Sequence, residues 1–232
     1  MTKIICIIQA RMASTRFPGK IMSPILGYPQ LYRVINRVMQ SKIKNIVVAT
    51  TTNTEDNIIQ CMLNCYNINM PVIRGSENDV LSRYILAADT YNADAVIRIT
   101  ADCPLIDPNL INEIVDTYTD NNDVQYITFD NTLYLEGVAS IELLKTSTLK
   151  YIAQKTVEYS HREHVTTYIK DNLNNFKTII KKPSHVSFIL DNHLSVDTID
   201  DLNKVRKVYH HFHPRTDFAH NEIIEYLYKH TK

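Results

Sequence analysis

An α/β fold with a mostly parallel sheet is the architecture that this sequence predicts, and three observations indicate it. Short, continuous apolar runs alternate along the first half of the chain with segments whose apolar residues recur every three or four positions. The runs do not show the strict apolar–polar alternation of a half-solvated sheet, which is typical of parallel strands buried on both faces. The strand–helix order also repeats without interruption, as right-handed crossovers between parallel strands require.

The first half of the chain carries the predicted strands and helices in strict alternation. The apolar runs that we interpret as strands are Lys3–Gln9, Asn45–Thr50, Pro71–Arg74, Asp94–Thr100 and Val124–Phe129. The amphipathic stripes that we interpret as helices are Leu31–Met39, Ile58–Tyr66, Val80–Ala88 and Leu110–Tyr118. Each helix presents one apolar stripe, so it can cover one face of the sheet.

After residue 129 the pattern changes. The segment Leu133–Leu144 predicts one or two strands broken at Gly137, because a glycine interrupts its apolar residues. Strands are also predicted at Phe176–Ile180 and Val186–Leu190, with a turn at Lys181–Pro183 between them. The other periodic segments predict helices at 146–156, 159–171, 197–210 and 216–230. With no internal repeat and no Gly/Ser linker, residues 1–232 are predicted to form a single domain.

The charge balance and the composition limit the kinds of partner. Among 232 residues, 25 are Lys or Arg and 25 are Asp or Glu, so the formal net charge is zero. Binding nucleic acid through its phosphates requires a basic excess, so we expect no nucleic-acid partner. No apolar run reaches the roughly 18 residues of a membrane span, and Ile4–Ile8 is too short for a signal peptide. We therefore expect a cytoplasmic protein without a membrane partner, with its four cysteines as reduced thiols.

The candidate ligand site lies where the predicted strands end. In open α/β sheets, ligands bind beyond the carboxyl ends of the strands, at the point where the strand order reverses. The segments that follow the predicted strands are therefore the ones to inspect. They are Gln9–Lys20, Thr50–Asp56, Arg74–Arg83 and Thr100–Asp107.

The segment Gln9–Lys20 carries the strongest signal. It places Arg11, Arg16 and Lys20 beside two hydroxyl side chains, directly after the first strand. Guanidinium groups bind phosphate oxygens in pairs and the lysine ammonium acts as a point charge, so this composition favours a phosphate-binding loop. The loop is not a Walker A motif, because Ile21 stands where that motif has a serine or threonine. A solvated basic loop is the alternative.

The same segment resembles the signature loop of a known family. Its letters, IIQARMASTRFPGKIM, are similar to that loop, and further motifs follow in the family's order. They are RGSENDVLSRY (Arg74–Tyr84), RITADCPLIDP (Arg98–Pro108), REHVTTYI (Arg162–Ile169) and SVDTIDDL (Ser195–Leu202). Together they resemble the spore-coat polysaccharide cytidylyltransferase-like proteins, which are related to the CMP-Kdo and CMP-sialic acid synthetases. The resemblance covers nearly the whole chain.

The resemblance implies a fold, a reaction and an assembly. The fold is a Rossmann-like, mostly parallel sheet sandwiched by helices, of the nucleotide-diphospho-sugar transferase type, with a small hairpin or dimerisation subregion in the second half. Residues 1–129 are then the nucleotide-binding half, and residues 130–232 the acceptor-binding and dimerisation half. The implied reaction transfers CMP from CTP to an acidic sugar or sugar phosphate, with release of pyrophosphate, for cell-surface polysaccharide synthesis. The implied assembly is a homodimer, for which Leu133–Leu144, with Tyr134, is expected to be exposed and to suit a two-fold interface.

The resemblance also implies roles for particular residues. Arg11, Arg16 and Lys20 hold the triphosphate of CTP and, with Asp102, form the catalytic group. Asp102 and Asp197 bind Mg²⁺, which typically takes one or two carboxylates together with substrate phosphates. The residues implied to contact the substrates are Gln9, Ala10, Ser14, Thr15, Thr51, Ser76, Asp79, Arg83, Arg162 and His164.

Structural roles are the alternative for several of these residues. Asp102 could be a turn residue or a helix cap, and Asp197 could cap the helix that follows it. Asp79 could be a first-turn acid that complements a helix dipole. His161 and His164 have a spacing that metal ligands use, but one face of an amphipathic helix explains them as well.

Two other functions compete with the cytidylyltransferase hypothesis. A glycosyltransferase of the same architecture commonly holds its metal with Asp-x-Asp, and no two aspartates of this chain have that spacing. A non-catalytic nucleotide-binding protein could keep the fold without the activity. The chain also departs from the family pattern, because Ala13 stands in place of a glycine and Gly137–Glu142 lacks the family's aspartate. These departures concern the acceptor more than the nucleotide.

Overall fold

The computed structural model describes residues 2–182 and 193–230. Its strands are β1 (Ile4–Gln9), β2 (Pro24–Ile25), β3 (Tyr28–Pro29), β4 (Ile46–Thr51), β5 (Val72–Gly75), β6 (Ala95–Thr100), β7 (Tyr126–Phe129), β8 (Glu142–Lys145) and β9 (Thr178–Lys181). Its α-helices are α1 (Gln30–Met39), α2 (Asn57–Cys65), α3 (Val80–Thr90), α4 (Pro108–Asp120), α5 (Thr146–Lys155), α6 (Tyr159–His164), α7 (Thr167–Asp171), α8 (Ile199–Phe212) and α9 (His220–His230).

Most of these strands form one seven-stranded sheet, in the order β5-β4-β1-β6-β8-β7-β9. Neighbouring strands are parallel except at β8, which runs antiparallel to β6 and to β7. Strands β2 and β3 form a separate two-stranded hairpin in the first half of the chain. The prediction of an α/β fold with a mostly parallel sheet between helices is therefore confirmed.

Burial on both faces explains why the central strands are apolar throughout. In β1, Cys6 and Ile8 pack into one core and Ile5 and Ile7 into another, because successive side chains of a strand point to opposite faces. The first core holds the apolar stripes of α1, α2 and α4, and the second holds those of α3 and α5. A strand between two cores has no solvated face, so its sequence shows no alternation.

A third core packs the C-terminal helices α8 and α9 against Val138 and Phe218. Arg37 of α1 strengthens this end of the molecule. Its side chain is fully buried, and its guanidinium donates to three backbone carbonyl oxygens. They belong to Ile106 (2.6 Å), Thr216 (2.7 Å) and Phe218 (2.8 Å). These bonds fasten α1 to the chain that leads into α9.

The segment Leu133–Leu144 is predicted as one or two exposed strands broken at Gly137, and only its last residues, from Glu142, form a strand. It forms turns until β8 begins at Glu142. Tyr134 and Leu135 are buried, and Val138 is completely so. Leu135 and Val138 lie in the third core. These residues are apolar because the turns bury them, and not because they belong to a strand. The expectation that this segment is exposed as a two-fold interface is therefore wrong.

The helix predicted over 159–171 is two helices, α6 and α7, joined at Val165 and Thr166. Val165 has a φ of 54°, a left-handed value that is rare for a β-branched residue and ends the helix. Its side chain is completely buried in the second core. A helical period alone does not show such a break. The strand predicted at Val186–Leu190 and the end of the turn at Lys181–Pro183 lie outside the described residues.

The described residues also bear on membranes and thiols. Among them, no helix combines the length and the apolar composition that crossing a bilayer takes. All four cysteines are free, as the sequence predicts. Cys6 and Cys103 are buried, and burial raises the pKa of both thiols, so they are protonated at neutral pH.

The strand order reverses at β1. From β1 the chain moves outward to β4 and β5, and it then returns to β6 on the other side of β1. Gln9 and Thr100 are neighbours in register where β1 and β6 end. Because ligands of open α/β sheets bind at such a reversal, the residues beyond Gln9 and Thr100 form the candidate site.

Candidate active site

The cationic loop, residues 10–20, is held against the end of β4. The backbone N–H of Met12 donates to Oδ1 of Asp56 at 2.7 Å. Asp56 is buried, and its other carboxylate oxygen accepts hydrogen bonds from the hydroxyls of Thr50 and Thr51. The loop that carries the cations therefore has a path fixed by a buried carboxylate.

Lys20 ends this loop, immediately after a tight turn at Gly19. Gly19 has a φ of 72°, a left-handed value that glycine adopts without strain. The Lys20 ammonium donates to Oδ2 of Asp102 at 3.1 Å and to Oδ1 of Asp197 at 2.9 Å. A third bond, 2.7 Å long, goes to the carbonyl oxygen of Val196. One buried ammonium thus joins three segments that are far apart in sequence.

Neither Asp102 nor Asp197 caps a helix, although Asp102 does lie in a turn, which is the other structural alternative for it. The N-terminus of α4 is capped by Asp107. The N-terminus of α8 is capped by Thr198, in a capping box with Asp201. Both side chains instead line a cavity beside the cationic loop.

Charges of opposite sign are interleaved in this group. Nη2 of Arg16 lies 2.8 Å from Oδ2 of Asp197, and Lys20 lies between the two carboxylates. Burial raises the pKa of Asp102, but the Lys20 charge and side-chain hydrogen bonds outweigh burial and hold that pKa below its ordinary value. Asp102 is therefore ionised at neutral pH, which is the form in which a carboxylate binds a cation.

These residues line a cavity of about 720 Å³ at the carboxyl ends of β1 and β6. Its volume is typical of a site for a small molecule. The cavity gathers many of the residues that the sequence singles out, namely Gln9, Ala10, Arg11, Ser14, Thr15, Arg16, Lys20, Asp102, His164 and Asp197. They come from distant segments, and the order of the strands brings them together.

The other predicted contact residues are not among those that line the cavity. Asp79 caps α3 and forms an ion pair with Arg162, so each side chain neutralises the charge of the other. Thr51 is fully buried and bonded to an aspartate, and Oγ of Ser76 accepts the backbone N–H of Asp79 at 3.1 Å. Arg83 is buried as well. Direct substrate contact by these residues stays a prediction.

Arg98 and Glu163 line the cavity, and the sequence reasoning missed both. Oε1 of Glu163, on α6, accepts a hydrogen bond from Nη2 of Arg11 at 2.8 Å. Nη1 of Arg98, on β6, donates to Oε2 of Glu142 at 2.8 Å. A charge inside an otherwise apolar strand requires a buried partner, and that signal could have pointed to Arg98. Glu163 carries no such signal, because a glutamate on a short helix is usually a surface residue.

Glu142 is buried and connects four elements of the fold. It forms ion pairs with Arg98 of β6 and Lys170 of α7, each 2.8 Å long, and it accepts the hydroxyl of Tyr126 from β7. Burial raises the pKa of Glu142, but the two cations outweigh burial and bring it to about 2. Burial lowers the pKa of Arg98, and Glu142 more than restores it. Arg98 and Glu142 are therefore both charged at neutral pH.

The chemistry of Asp102 and Asp197 fits a magnesium ion. Both face the same cavity and share one ammonium, so the two carboxylates are close neighbours. Residues 2–182 and 193–230 contain no group of three His, Cys, Asp or Glu side chains that could hold a metal. Mg²⁺ does not need such a group, since it binds one or two carboxylates and completes its shell with water and substrate phosphates.

The fold and the position of the site are those of the nucleotide-diphospho-sugar transferase type, which solved structures share. A cytidylyltransferase of Leptospira borgpetersenii has a solved structure that superposes with a TM-score of 0.93 at 31% identity, over 100% of this chain and 96% of that one. The structure of CMP:2-keto-3-deoxy-manno-octonic acid synthetase, complexed with CTP, has the same fold. It superposes with a TM-score of 0.69 at 16% identity, over 90% of this chain and 99% of that one.

The family follows from the sequence comparison. A family model described as cytidylyltransferase matches residues 5–225. The spore coat polysaccharide biosynthesis protein SpsF of Bacillus subtilis is 29% identical, over 98% of this chain and 95% of its own length. The chain belongs to the cytidylyltransferase family. The resemblance that the motifs carry is therefore confirmed.

Proposed function

We propose that the protein transfers CMP from CTP to an acidic sugar or a sugar phosphate and releases pyrophosphate. The observation that carries the proposal is the Lys20 ammonium, which holds Asp102 and Asp197 beside Arg16 in one cavity. A nucleoside triphosphate needs cations for its oxygens and carboxylates for its Mg²⁺, and this group offers both. A solved structure of the same fold holds CTP, and the relative named for spore coat polysaccharide biosynthesis supports a role in polysaccharide synthesis.

The proposed reaction is an in-line displacement at the α-phosphorus of CTP. An oxygen of the acceptor, from the hydroxyl of a sugar acid or the phosphate of a sugar phosphate, forms a bond to that phosphorus. The bond from the phosphorus to the oxygen bridging to the β-phosphate breaks. Pyrophosphate leaves with the bonding electron pair, and where the attacking oxygen is a hydroxyl its proton passes to solvent. Arg11, Arg16 and Lys20 bind the leaving phosphates and offset the charge that develops on them.

Asp102 and Asp197 are the residues that would hold Mg²⁺. When bound, Mg²⁺ supplies Lewis-acid neutralisation of phosphate charge. Lys20 contacts both carboxylates, and Glu163 holds Arg11 in the same cavity through a 2.8 Å ion pair. The substrate would therefore enter a site whose cations already have fixed positions.

Consumption of CTP also supports a cytoplasmic location for the protein.

Pyrophosphate release tests the proposed reaction. The purified protein is given Mg²⁺, each of the four ribonucleoside triphosphates, and either sugar acids or sugar phosphates. We expect release with CTP and with one class of acceptor. Release from no pair, combined with stabilisation of the protein against heat by CTP, would instead support a nucleotide-binding protein without this activity.

The variant Asp102→Asn tests the role of the carboxylate. It keeps the size of the side chain and removes its charge, so we expect kcat/KM to fall by roughly a hundredfold or more while the protein stays folded at the assay temperature. Asp116→Asn is the matched control, because Asp116 lies on the exposed face of α4 and pairs with Lys42. It should keep wild-type kinetics. Near-wild-type turnover in Asp102→Asn would contradict the proposed role.

A further inference from the structure

Arg98 occupies a position in the cavity that neither the cations of the loop nor the two aspartates explain. It lies on β6, on the same face as Thr100, two residues before the strand ends. Two residues of a strand span about 7 Å, so Arg98 lies deeper along the sheet than the group around Lys20. It lines the same cavity, and its side chain is 17% exposed. If the loop cations and the two aspartates hold the triphosphate, this end of the cavity is left for the acceptor.

Glu142 holds the guanidinium of Arg98 in place. Arg98 and Glu142 are register partners on the antiparallel strands β6 and β8, so their side chains lie on the same face of the sheet. Nη1 of Arg98 donates to Oε2 of Glu142 at 2.8 Å. Glu142 is itself fixed by Lys170, Tyr126 and a bond from the hydroxyl of Thr166. Arg98 therefore keeps one orientation at the wall of the cavity.

The charges of this cluster do not balance. Arg98 and Lys170 are cations, and Glu142 is the carboxylate that both of them contact. Nε of Arg98 is buried and has no hydrogen-bond partner among the described residues. A buried guanidinium with unused donors is costly unless an anion or another acceptor completes it. Arg98 is the member of this cluster that lines the cavity, so its guanidinium is the cation that an anion could reach there.

We propose that Arg98 binds the anionic group of the acceptor, a carboxylate or a phosphate, with Glu142 as the residue that positions its guanidinium. This inference rests on the proposed function and names the residue that selects the acceptor. A guanidinium suits the role because its fork of donors matches the two oxygens of a carboxylate or a phosphate. Arg162, for which the resemblance implies a substrate contact, pairs with Asp79 and donates to the carbonyl of Ala153, so its donors are engaged elsewhere.

The first variant to make is Arg98→Lys. It keeps the charge that Glu142 needs and removes the fork, so the fold is preserved while the recognition is weakened. We expect the KM for the acceptor to rise roughly tenfold or more and the KM for CTP to stay within about twofold. Arg215→Lys is the control, because Arg215 is exposed and pairs with Asp217 and Glu222 far from the cavity.

A double variant separates loss of recognition from loss of folding. Arg98→Gln combined with Glu142→Gln removes the two partners together, so neither is left as an unpaired buried charge. We expect a rise of roughly a hundredfold in the KM for the acceptor, with CTP binding retained. A change in the KM for CTP without a change for the acceptor, in either variant, would overturn the proposal.

The acceptors are chosen to separate the two sources of negative charge. N-acetylneuraminate offers a carboxylate, glucose 1-phosphate offers a phosphate, and the methyl ester of N-acetylneuraminate offers no charge. The wild-type protein should prefer one charged acceptor to the ester, and Arg98→Lys should reduce that preference. An unchanged preference would show that another residue recognises the anion.

Calorimetry keeps this inference distinct from the proposed reaction. If no acceptor yields pyrophosphate, the proposed function fails, and binding of the same acceptors is then measured with α,β-methylene CTP present. Binding of a charged acceptor that Arg98→Lys weakens by roughly tenfold supports the anion site by itself. Equal binding by both proteins, or no binding of either charged acceptor, overturns it.

Discussion

Gly137 contacts the backbone of the segment that carries Asp197. Its φ is 85°, and a Cβ built on it would lie 2.4 Å from both the carbonyl carbon of Leu194 and the amide nitrogen of Ser195. The N–H of Leu194 also donates to the carbonyl of Glu136 at 3.1 Å. Only glycine leaves room for this approach, so Gly137 positions one of the two proposed magnesium ligands.

Replacing Gly137 by alanine should therefore impair activity as well as stability. The added methyl group has to displace the backbone at 194–195, and Asp197 moves with it. We expect kcat/KM for pyrophosphate release to fall roughly tenfold or more, because small displacements of catalytic groups are costly. The concentration of Mg²⁺ needed for half-maximal rate should rise in the same variant.

Gly27 supplies the matched control for that experiment. Its φ is 79°, but a Cβ built on it meets nothing within 4 Å. Gly27→Ala should therefore lose about 1 kcal/mol of stability to backbone strain and keep wild-type kinetics. If the two variants lose activity equally, strain at a left-handed residue explains both, and the positioning role of Gly137 is wrong.

At the scale of an element, α8 begins at Ile199, two residues after Asp197, and its N-cap fixes that junction. Oγ1 of Thr198 accepts the N–H of Asp201 at 3.3 Å. Oδ2 of Asp201 accepts the N–H groups of Asp197 at 3.2 Å and of Thr198 at 3.0 Å. The start of the helix and the position of a proposed metal ligand are thus set by the same hydrogen bonds.

Thr198→Ala should lower the free energy of unfolding by about 1 kcal/mol, the usual loss when an N-cap is removed. Urea denaturation measures it as a lower midpoint with an unchanged slope. Thr119→Ala is the control, because the Thr119 hydroxyl bonds to the carbonyl of Val115 inside α4 and satisfies no free N–H group. Its loss should stay below about 0.5 kcal/mol. Equal losses would mean that the cap adds no stability.

At the scale of the whole molecule, the cluster around Glu142 joins the two halves of the chain. Arg98 and Tyr126 come from residues 1–129, and Glu142 and Lys170 come from residues 130–232. The sheet is continuous across the same boundary, because β6 pairs with β8. The two halves therefore share one buried ionic cluster and one sheet.

This cluster should make stability depend on pH in the acid range. The pKa of Glu142 is about 2 in the folded protein, below the value of about 4.3 in an unfolded chain. Its contribution is therefore complete above about pH 4.3 and is lost as the pH falls toward 2. We expect Glu142→Gln to lower the free energy of unfolding by about 3 kcal/mol at pH 7, and this difference from wild type to shrink below about pH 4.

Glu113→Gln is the control for that measurement. Glu113 pairs with Lys181 at 2.9 Å on a more exposed surface, so its loss should be about 1 kcal/mol or less. Denaturation curves between pH 2 and pH 8 compare the two variants with the wild type. A difference for Glu142→Gln that stays constant across this range would contradict the depressed pKa.

The assembly is a separate matter at this scale. A homodimer stays a prediction that rests on the resemblance, because the segment Leu133–Leu144 is packed into the chain's own core. A two-fold interface would have to use another surface.

Much of the fold could be predicted because burial leaves a direct mark on the sequence. Continuous apolar runs mark strands with cores on both faces, and stripes every three or four residues mark the helices that cover them. The pattern fails at Leu133–Leu144 and at Val165. At these places, apolar side chains enter a core from turns or from a residue with positive φ. The spacing of apolar residues shows which of them are buried, but it does not show the backbone conformation.

The sequence by itself determined the class of fold, the cationic loop and the segments that follow the strands. Their residue types and spacing are local properties, and local properties are readable from one chain. Only the tertiary structure decided that Lys20 joins Asp102 to Asp197, and that Arg98 faces the same cavity with Glu142 behind it. These contacts span many residues, and they follow from the order and direction of the strands, because side chains meet only where the sheet brings their backbones together.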